Sequence, residues 1–304
     1  MKHEPTVPLP LVARSGGVAL AGSLWVPAGD PLALLVMHPG SGPADRDNGD
    51  LFPRIRTPLL RAGIAVASFD KRGVGGSEGS WLEAGIERQA ADLLAGLGSA
   101  AAHVPGVPCG TFGHSEGGWV VVDAADRAAL GEIAFVITSA GPAVRAGVAE
   151  RFASTRTLDR IARSDADRAR AEAAVDAFFA LAEAGATHAQ MLALVDERGD
   201  ELAHLLEGDV PDERLWSLFV QLAAFDPLPR MRSLRVPMLA IFGADDALTP
   251  TAASVEALRA AVDPALLQLA VLPGAGHRMA HAGEHDFAAG YLETIIAFVL
   301  THSR

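Results

Sequence analysis

A near absence of cysteine limits the chemistry open to this chain of 304 residues. Cys109 is the single cysteine, so no internal disulfide can form. The apolar residues around Cys109 predict a small core side chain rather than a reactive thiol. A disulfide-stabilised secreted protein is therefore disfavoured, and we expect the chain to work in the cytoplasm.

The sequence also lacks the apolar segments that secretion or membrane insertion requires. Residues 1–5 contain an acid and a proline where a signal peptide would have a basic start and a long apolar core. No later stretch approaches the length of apolar chain that crosses a bilayer. We therefore expect neither a signal peptide nor a membrane partner.

Basic runs are missing as well. The chain has 25 basic and 37 acidic residues, a formal charge of −12, and this excess of acid disfavours nucleic acid or an anionic membrane as a partner. Half of the residues are apolar, which is enough for a sizeable core. These features predict a globular protein, and solubility is enough to explain the excess of acidic residues. A homodimer is compatible with them, but nothing in the sequence indicates one.

Apolar runs and helical stretches alternate along most of the chain. Two runs at 9–14 and 18–26, joined by a Ser-Gly-Gly turn, predict a hairpin. Short apolar runs follow at 33–37, 64–69, 107–112, 133–138, 238–242 and 266–272. Helix-like stretches between or after them lie at 51–62, 83–101, 116–129, 251–262 and 287–300. This order predicts an α/β fold, with helices on both faces of a mostly parallel sheet.

The alternation stops between residues 142 and 234. Apolar residues there recur at helical spacing, namely Val175, Phe178, Phe179, Ala182, Leu215, Leu218, Phe219 and Leu222. We predict a helical cap insertion over 143–230 and a core formed by 1–142 and 231–304. Such an insertion would lie above the carboxyl ends of the strands, where open parallel sheets bind ligands. We expect most of its apolar residues to pack against protein and about a third to face a pocket.

A Gly-His-Ser-Glu-Gly segment at 113–117 follows one apolar run and opens a helical stretch. This is the context of a nucleophile elbow, in which a serine occupies a sharp, strained turn. Gly113 and Gly117 remove the side chains that would collide with the turn. The segment therefore predicts Ser115 as a nucleophile, with the Glu116 amide placed to donate to an oxyanion.

Gly-Gly-Ser-Glu-Gly at 75–79 fits the same five-position pattern. Ser77, however, lies well beyond the end of the run at 64–69, and no helical pattern begins directly after it. We predict a flexible loop there. Context thus favours Ser115 over Ser77.

A serine nucleophile needs a base, and the base needs an acid that orients it. The expected chain order is serine, acid, histidine. His277 follows the run at 266–272 in a turn of small residues and is the predicted base. Asp246 fits the turn form Gly-x-x-Asp-x-x-x-Pro at 243–250 and is the predicted acid, with the adjacent Asp245 as the alternative.

Two later histidines could suggest a metal site. His281 and His285 follow His277 at helical spacing. No cysteine or clear carboxylate set completes the ligand count. We therefore predict no metal, and we expect these two side chains to be solvated on the surface.

The loop after the run at 33–37 reads His-Pro-Gly-Ser-Gly-Pro at 38–43. Its glycines permit a close approach of backbone to a ligand, so the amide of Ser41 is the predicted second oxyanion donor. The alternative is a loop that merely turns. Charged residues of both signs at 45–47 and 70–72 predict structural ion pairs that brace two loops against each other, in preference to substrate binding.

The combination of these segments is more specific than the elbow alone. The matching segments are Gly-Ser-Gly-Pro at 40–43, Asp-Arg-Asp at 45–47, Phe-Asp-Lys-Arg-Gly-Val-Gly at 69–75, the elbow at 113–117, Trp216, Asp226, Pro227, Val236, Pro237, Gly243, Asp246 and His277. They resemble the alpha/beta-hydrolase superfamily and, within it, a group of bacterial serine carboxylesterases. Members usually have His-Gly directly before Ser-Gly-Pro, whereas His38 is displaced by one position here.

The resemblance implies an esterase without a cofactor that acts on small or medium acyl esters. It also implies a catalytic triad of Ser115, Asp246 and His277. A thioesterase or an aminopeptidase would use the same triad. A non-catalytic protein that keeps the fold as a ligand pocket is the alternative outside the enzymes.

Overall fold

The computed structural model describes residues 7–206 and 209–303. The N-terminal segment in which we expect no signal peptide lies outside these residues. Within them, none of the helices combines the length and the apolar character needed to span a bilayer.

Eight strands form one sheet in the described chain. Their bounds are β1 Leu9–Ser15, β2 Val18–Trp25, β3 Ala33–His38, β4 Ile64–Phe69, β5 Cys109–His114, β6 Phe135–Ser139, β7 Met238–Gly243 and β8 Leu267–Leu272. The strand order is β1-β2-β4-β3-β5-β6-β7-β8. The hairpin β1-β2 is antiparallel and β2 pairs antiparallel with β4, whereas the remaining pairs are parallel. The predicted mostly parallel sheet is confirmed.

Helices connect and cover these strands. Their bounds are α1 Leu51–Arg61, α2 Ile86–Ala101, α3 Gly117–Arg127, α4 Ala146–Ile161, α5 Asp165–Glu183, α6 His188–Leu206, α7 Glu213–Ala224, α8 Leu228–Ser233, α9 Thr251–Ala261 and α10 Tyr291–Thr301. Residues of α2, α3, α8 and α9 pack on one face of the sheet, and residues of α1 and α10 pack on the other. Helices therefore cover both faces, as predicted.

Strand β3 shows why the buried strands can be predicted from the sequence. All of its residues are buried, and they alternate between the two faces: Leu34 and Val36 pack in one apolar cluster, Leu35 and Met37 in the other. A parallel strand covered on both faces has no polar side, so it reads as a continuous apolar run.

Some predicted bounds shift for local reasons. Strand β5 begins two residues later than the apolar run because Pro108, which has no amide hydrogen, precedes it. Helix α2 begins at Ile86 rather than at residue 83, because a separate 3-10 turn occupies Trp81–Glu83. Helix α10 begins after Gly290, whose φ of 88° is left-handed and non-helical.

Helices α4 to α7 lie between β6 and β7, where the sequence predicts an insertion. Residues of α5, α6 and α7 form an apolar cluster of their own, in which the rings of Phe178 and Trp216 meet edge to face at 5.3 Å. The indole of Trp216 donates to the Ala186 carbonyl. Ser164 and Asp212 accept backbone amides at the starts of α5 and α7, which are N-caps that fix where these helices begin. The division of the chain into core and cap at 142/143 and 230/231 stays a prediction.

The loops after β3 and β4 are tied by charge. Arg46 donates to both carboxylate oxygens of Asp70 at 2.9 and 2.6 Å, which realises one of the predicted braces. Burial by itself would raise the pKa of Asp70, but the hydrogen bonds from Arg46 and from the Gly76 amide hold that pKa below its ordinary value. The loop is thus fixed by a bidentate ion pair.

Ser77 lies in a loop, as predicted, but the contacts of its side chain do not fit the flexibility that we expected. Its side chain is buried; the hydroxyl donates to the Asp70 carbonyl at 2.8 Å and accepts from the Ala21 amide at 2.9 Å. The glycines around it serve close packing: a Cβ on Gly75 would lie 2.3 Å from the Asp70 carboxylate. Ser77 therefore holds the β4 loop against β2.

The turn between β5 and α3 is packed backbone against backbone. A Cβ on Gly113 would lie 2.0 Å from the Gly117 carbonyl oxygen. A Cβ on Gly117 would lie 2.6 Å from the Pro39 carbonyl oxygen and 2.7 Å from that of His38. Glycine is therefore required at both positions by contact with main chain, which cannot move aside as a side-chain end can.

Replacing Gly113 with alanine tests this contact. We expect the free energy of unfolding to fall by about 2–3 kcal/mol, since overpacking against backbone forces the turn to deform. Urea denaturation measures the loss. Gly98→Ala is the matched control, because Gly98 is an exposed residue of α2 whose Cβ would meet nothing within 4 Å. It should stabilise the protein by about 1 kcal/mol, and equal losses in both variants would contradict the contact.

Candidate active site

Ser115 lies at the carboxyl end of β5, in the turn that leads into α3. Its φ is +54°, a left-handed conformation that a non-glycine residue rarely adopts. The Ser115 amide donates to the Ser139 carbonyl at 2.9 Å, which ties the turn to the end of β6. Strained backbone of this kind concentrates at functional sites, so Ser115 has the geometry predicted for an elbow.

His277 and Asp246 lie in loops that follow adjacent strands. The Nδ1 atom of His277 is 2.9 Å from Asp246 Oδ2 and 3.1 Å from Oδ1. The Asp246 side chain is fully buried and also accepts the amides of Leu248 and Thr249. Asp245, the alternative acid, is exposed. A carboxylate at Nδ1 selects the tautomer with its hydrogen on that atom, so Nε2 is left as the acceptor.

One cavity of about 770 Å³ brings most of the predicted residues together. Ser41, Ser115, Glu116 and His277 line it, and Asp246 lies behind His277. In the described residues the Ser115 hydroxyl makes no hydrogen bond to the His277 ring. Hydrogen bonds between a nucleophile and its base often form fully only when substrate binds.

The cavity wall opposite the sheet is apolar. It is formed by side chains from α4 to α7, among them Ala149, Phe178, Phe179, Leu205, Leu215, Leu218, Phe219 and Leu222. Six of the eight apolar residues singled out in the sequence line it, whereas Val175 and Ala182 do not. More of these apolar residues line the cavity than the third that we expected. Bulky side chains such as Phe178 contact both the helical cluster and the cavity.

A second histidine lies against the first. The rings of His114 and His277 are 5.0 Å apart between centroids, and His114 is buried. Burial lowers the pKa of His114 well below its ordinary value, and the charges of His277 and Arg278 lower it further. His114 is therefore a neutral ring at neutral pH. The sequence placed it in the elbow but gave no sign of this contact.

A buried polar network underlies the same site, and sequence reasoning missed it. His38 Nε2 donates to the Gln89 side-chain oxygen at 3.0 Å, and Gln89 Nε2 donates to Glu116 Oε1 at 3.1 Å. Lys71 Nζ also donates to Glu116 Oε1, at 3.1 Å, and to the Gly40 carbonyl. Lys71 thus ties the loop after β4 to the loop after β3, as expected, and it also reaches the residue after Ser115, which was not predicted. A glutamate inside the elbow was the available signal, because a buried carboxylate needs a partner.

Charge is balanced within this network. Burial by itself would raise the pKa of Glu116, but the Lys71 charge and the hydrogen bonds from Gln89 and Lys71 hold it below its ordinary value. Burial, followed by the Lys71 charge, lowers the pKa of His38 to about 4. Near neutral pH the network thus holds one cation, one anion and a neutral imidazole.

Glu150, on α4, supplies a carboxylate to the cavity wall. In the described chain the Glu150 carboxylate forms neither an ion pair nor a side-chain hydrogen bond. Two other carboxylates of the cavity, those of Glu116 and Asp92, are paired with Lys71 and Arg72. Surrounding protein raises the pKa of Glu150, and the charge of Glu116 raises it further, although the residue keeps a solvent-exposed surface. An ionised Glu150 would therefore gain from a cationic ligand.

No three His, Cys, Asp or Glu side chains of the described ranges lie close enough together to hold a metal ion. His285 is exposed and His281 is half-buried. The imidazole of His281 instead packs beside Gly274, where a Cβ would lie 2.7 Å from its Nδ1. His281 is thus less solvated than predicted.

The choice between the two aspartates can be tested by amide substitution. Asp246→Asn should lower kcat for an ester by about 10⁴, because an amide cannot hold the His277 tautomer or stabilise its cation. Asp245→Asn is the matched control and should change kcat by less than about twofold, as expected for an exposed side chain. Steady-state kinetics with a chromogenic ester provide the measurement. The reverse ranking of the two variants would assign the acid to Asp245.

Comparison of sequences finds a match to one family over part of the chain. The family described as serine aminopeptidase, S33, matches residues 47–181. This segment includes Ser115 but ends before Asp246 and His277, and it is less than half of the chain. No curated protein matches the chain significantly.

Solved structures resemble the chain over nearly its whole length. An esterase of Pyrococcus furiosus has a TM-score of 0.62 at 15% identity and covers 98% of this chain and 90% of its own. Est1E of Butyrivibrio proteoclasticus, solved with ferulic acid bound, has a TM-score of 0.60 at 18% identity and covers 96% of both chains. A proline iminopeptidase of Mycobacterium smegmatis has a TM-score of 0.62 at 17% identity and covers 97% of this chain and 99% of its own. The chain has the alpha/beta-hydrolase fold.

Proposed function

We propose that this chain is a serine hydrolase that cleaves carboxylic esters of small or medium acyl chain. The observation that carries the proposal is the buried Asp246–His277 hydrogen bond beside the cavity that Ser115 lines in a strained turn. The family match and the fold support a hydrolase. Two of the similar structures are an esterase and a ferulic acid complex, which favours an ester as the first substrate to test.

In this mechanism Ser115 attacks the ester carbonyl while Nε2 of His277 accepts the serine proton. Asp246 holds the ring and stabilises its cation. The amides of Ser41 and Glu116 donate to the oxyanion, and the N-terminus of α3 adds a favourable dipole. His277 returns its proton to the leaving alkoxide, and the resulting acyl-enzyme is hydrolysed by water that His277 activates.

The cavity supports a short or medium acyl group. Its volume of about 770 Å³ falls within the range of small-molecule sites, and its helical wall is apolar. We propose that residues 143–230 act as a cap that sets acyl preference through this wall. We also propose a small-molecule partner and a cytoplasmic location, for which the single cysteine is the support.

The two serines that share the elbow pattern provide the main test. Ser115→Ala should lower kcat/KM for p-nitrophenyl butyrate by about 10⁴ to 10⁶, because the nucleophile is lost. It should also abolish labelling by a fluorophosphonate probe. Ser77→Ala should keep labelling and activity while losing about 1–2 kcal/mol of stability, since two buried hydrogen bonds are removed.

Retention of hydrolysis within a few fold in Ser115→Ala would refute the nucleophile. Absence of both labelling and hydrolysis in the parent protein would favour a non-catalytic binding protein. An acyl-CoA substrate run beside the ester series distinguishes a thioesterase. A series of p-nitrophenyl esters of increasing length measures the depth of the cavity.

An aminopeptidase is the second candidate, and Glu150 is the observation that favours it. An unpaired carboxylate among the apolar residues of the helical wall suits a substrate with an ammonium group. The matched family is described as a serine aminopeptidase, and one similar structure is a proline iminopeptidase. The Ser115 mechanism would be unchanged, with an amine as the leaving group.

Two isosteric anilides separate these candidates. The alanyl and isobutyryl 4-nitroanilides differ by an ammonium group in place of a methyl group. If Glu150 binds the ammonium, Glu150→Gln should lower kcat/KM for the alanyl substrate by about tenfold and that for the isobutyryl substrate by less than about twofold. The preference of the parent for the alanyl substrate should also fall in acid, as the raised pKa of Glu150 is passed and its charge is lost.

Equal effects of Glu150→Gln on the two anilides would argue against recognition of an ammonium group. Absence of anilide cleavage together with rapid ester cleavage would leave the esterase as the function.

A further inference from the structure

The ammonium group of Lys71 contacts both backbone segments that carry the proposed oxyanion donors. It donates to the carbonyl oxygen of Gly40, in the loop after β3. It also donates to Oε1 of Glu116, at the start of α3, at 3.1 Å. The side chains of Lys71 and Glu116 are only 5% and 9% exposed, so these contacts have little competition from solvent.

The contact with Gly40 fixes the direction of one donor. The carbonyl of Gly40 and the amide of Ser41 belong to one peptide unit, and the described chain has no cis peptide bonds. In a trans peptide the carbonyl and the N–H point to opposite sides. A lysine that holds the carbonyl on its own side therefore turns the Ser41 amide to the other side.

That peptide unit lies directly beside the proposed nucleophile. A Cβ on Gly40 would be 3.3 Å from the Cβ of Ser115 and 3.6 Å from the carbonyl of His114. Rotation of the unit would thus change the donor at the closest point of approach to Ser115. The glycines at 40 and 42 leave this backbone free to rotate unless a partner holds it.

The contact with Glu116 anchors the other donor. Gln89 donates to the same carboxylate oxygen as Lys71, and His38 holds the Gln89 side chain from the opposite end. The Glu116 backbone begins α3, so a fixed side chain holds the amide that follows Ser115. The two donors approach the cavity from different loops, and Lys71 is the link between them.

We propose that Lys71 is a positioning residue that orients both amides of the oxyanion hole. It acts through the Gly40–Ser41 peptide and through Glu116 rather than by transferring a proton. This inference rests on the proposed function, since it assumes that the two amides bind an oxyanion. Replacing Lys71 should therefore weaken stabilisation of the transition state while the affinity for the bound substrate changes little.

The decisive variant removes the lysine without leaving a buried charge. Lys71→Met alone would strand the Glu116 carboxylate, so the test uses Lys71→Met combined with Glu116→Gln. Kinetics with p-nitrophenyl butyrate should show kcat about 100-fold lower and KM within about threefold of the parent, comparable to the loss of one oxyanion donor. Thermal unfolding establishes that the variant is folded.

An ion pair outside the cavity gives a control. Asp123 on α3 has a fully buried side chain and accepts from Arg230 on α8 at 3.0 Å, and neither residue lines the cavity. Arg230→Met combined with Asp123→Asn removes this pair. This control should keep kcat within about threefold, because neither proposed amide loses its support.

A transition-state analogue distinguishes positioning from general damage. An alkyl boronic acid forms a tetrahedral anion on a nucleophilic serine, and its inhibition constant should rise about 100-fold in the Lys71 double variant. The affinity for the unreactive amide that corresponds to the substrate should change by less than about threefold. If Lys71 had only a structural role, the double variant would lose affinity for both ligands or for neither.

The inference is overturned if the Lys71 double variant keeps kcat and boronate affinity within threefold of the parent. It is also overturned if kcat of the control double variant falls as far as kcat of the Lys71 double variant. Should the double variant fail to fold, Lys71→Arg replaces it. Its larger planar fork keeps the charge but cannot donate in the same geometry, and kcat should fall at least fivefold at constant KM. An unchanged kcat in that variant would refute the inference.

Failure of the proposed function would appear differently, as a parent protein without hydrolysis or fluorophosphonate labelling.

Discussion

Contact of backbone with backbone at the carboxyl edge of the sheet is the constraint on which the site depends. Strands β3 and β5 are neighbours, so the loop after the first meets the turn after the second. Gly117 lies against the carbonyls of His38 and Pro39, and Gly40 lies against Ser115. Main chain packed this closely has few alternative conformations, which is why Ser115 can be held at a positive φ.

The order of strands places the remaining groups at the same edge. Strands β6, β7 and β8 follow β5 in parallel, so the loops with Asp246 and His277 come after neighbouring strands and meet beside the cavity. The helices between β6 and β7 then supply the apolar wall. A serine and a histidine from distant parts of the chain therefore line one cavity, and the buried acid lies behind the histidine.

Much of this could be predicted because the buried strands have no polar side. The apolar runs that form β3, β4 and β7 could be predicted for that reason. The glycine pattern at 113–117 was also informative, because it specifies a turn that few other sequences allow. The roles of charged residues were less accessible. Arg46 does pair with Asp70, but Lys71, next in the chain, pairs with Glu116, and charge signs in a sequence do not reveal which partner is near. Helical spacing likewise identifies an apolar face, but not whether protein or an open cavity lies against it.

The network of His38, Gln89, Glu116 and Lys71 draws one residue from each of four separate segments of the chain. Each member satisfies a buried group on the next, so a change in one leaves an unmet donor, acceptor or charge on its neighbour. Substitutions within the network are consequently non-additive, and a replacement harmful alone becomes tolerable when its partner changes too. Any sequence change that preserves this site is therefore expected to alter these four positions together rather than one at a time.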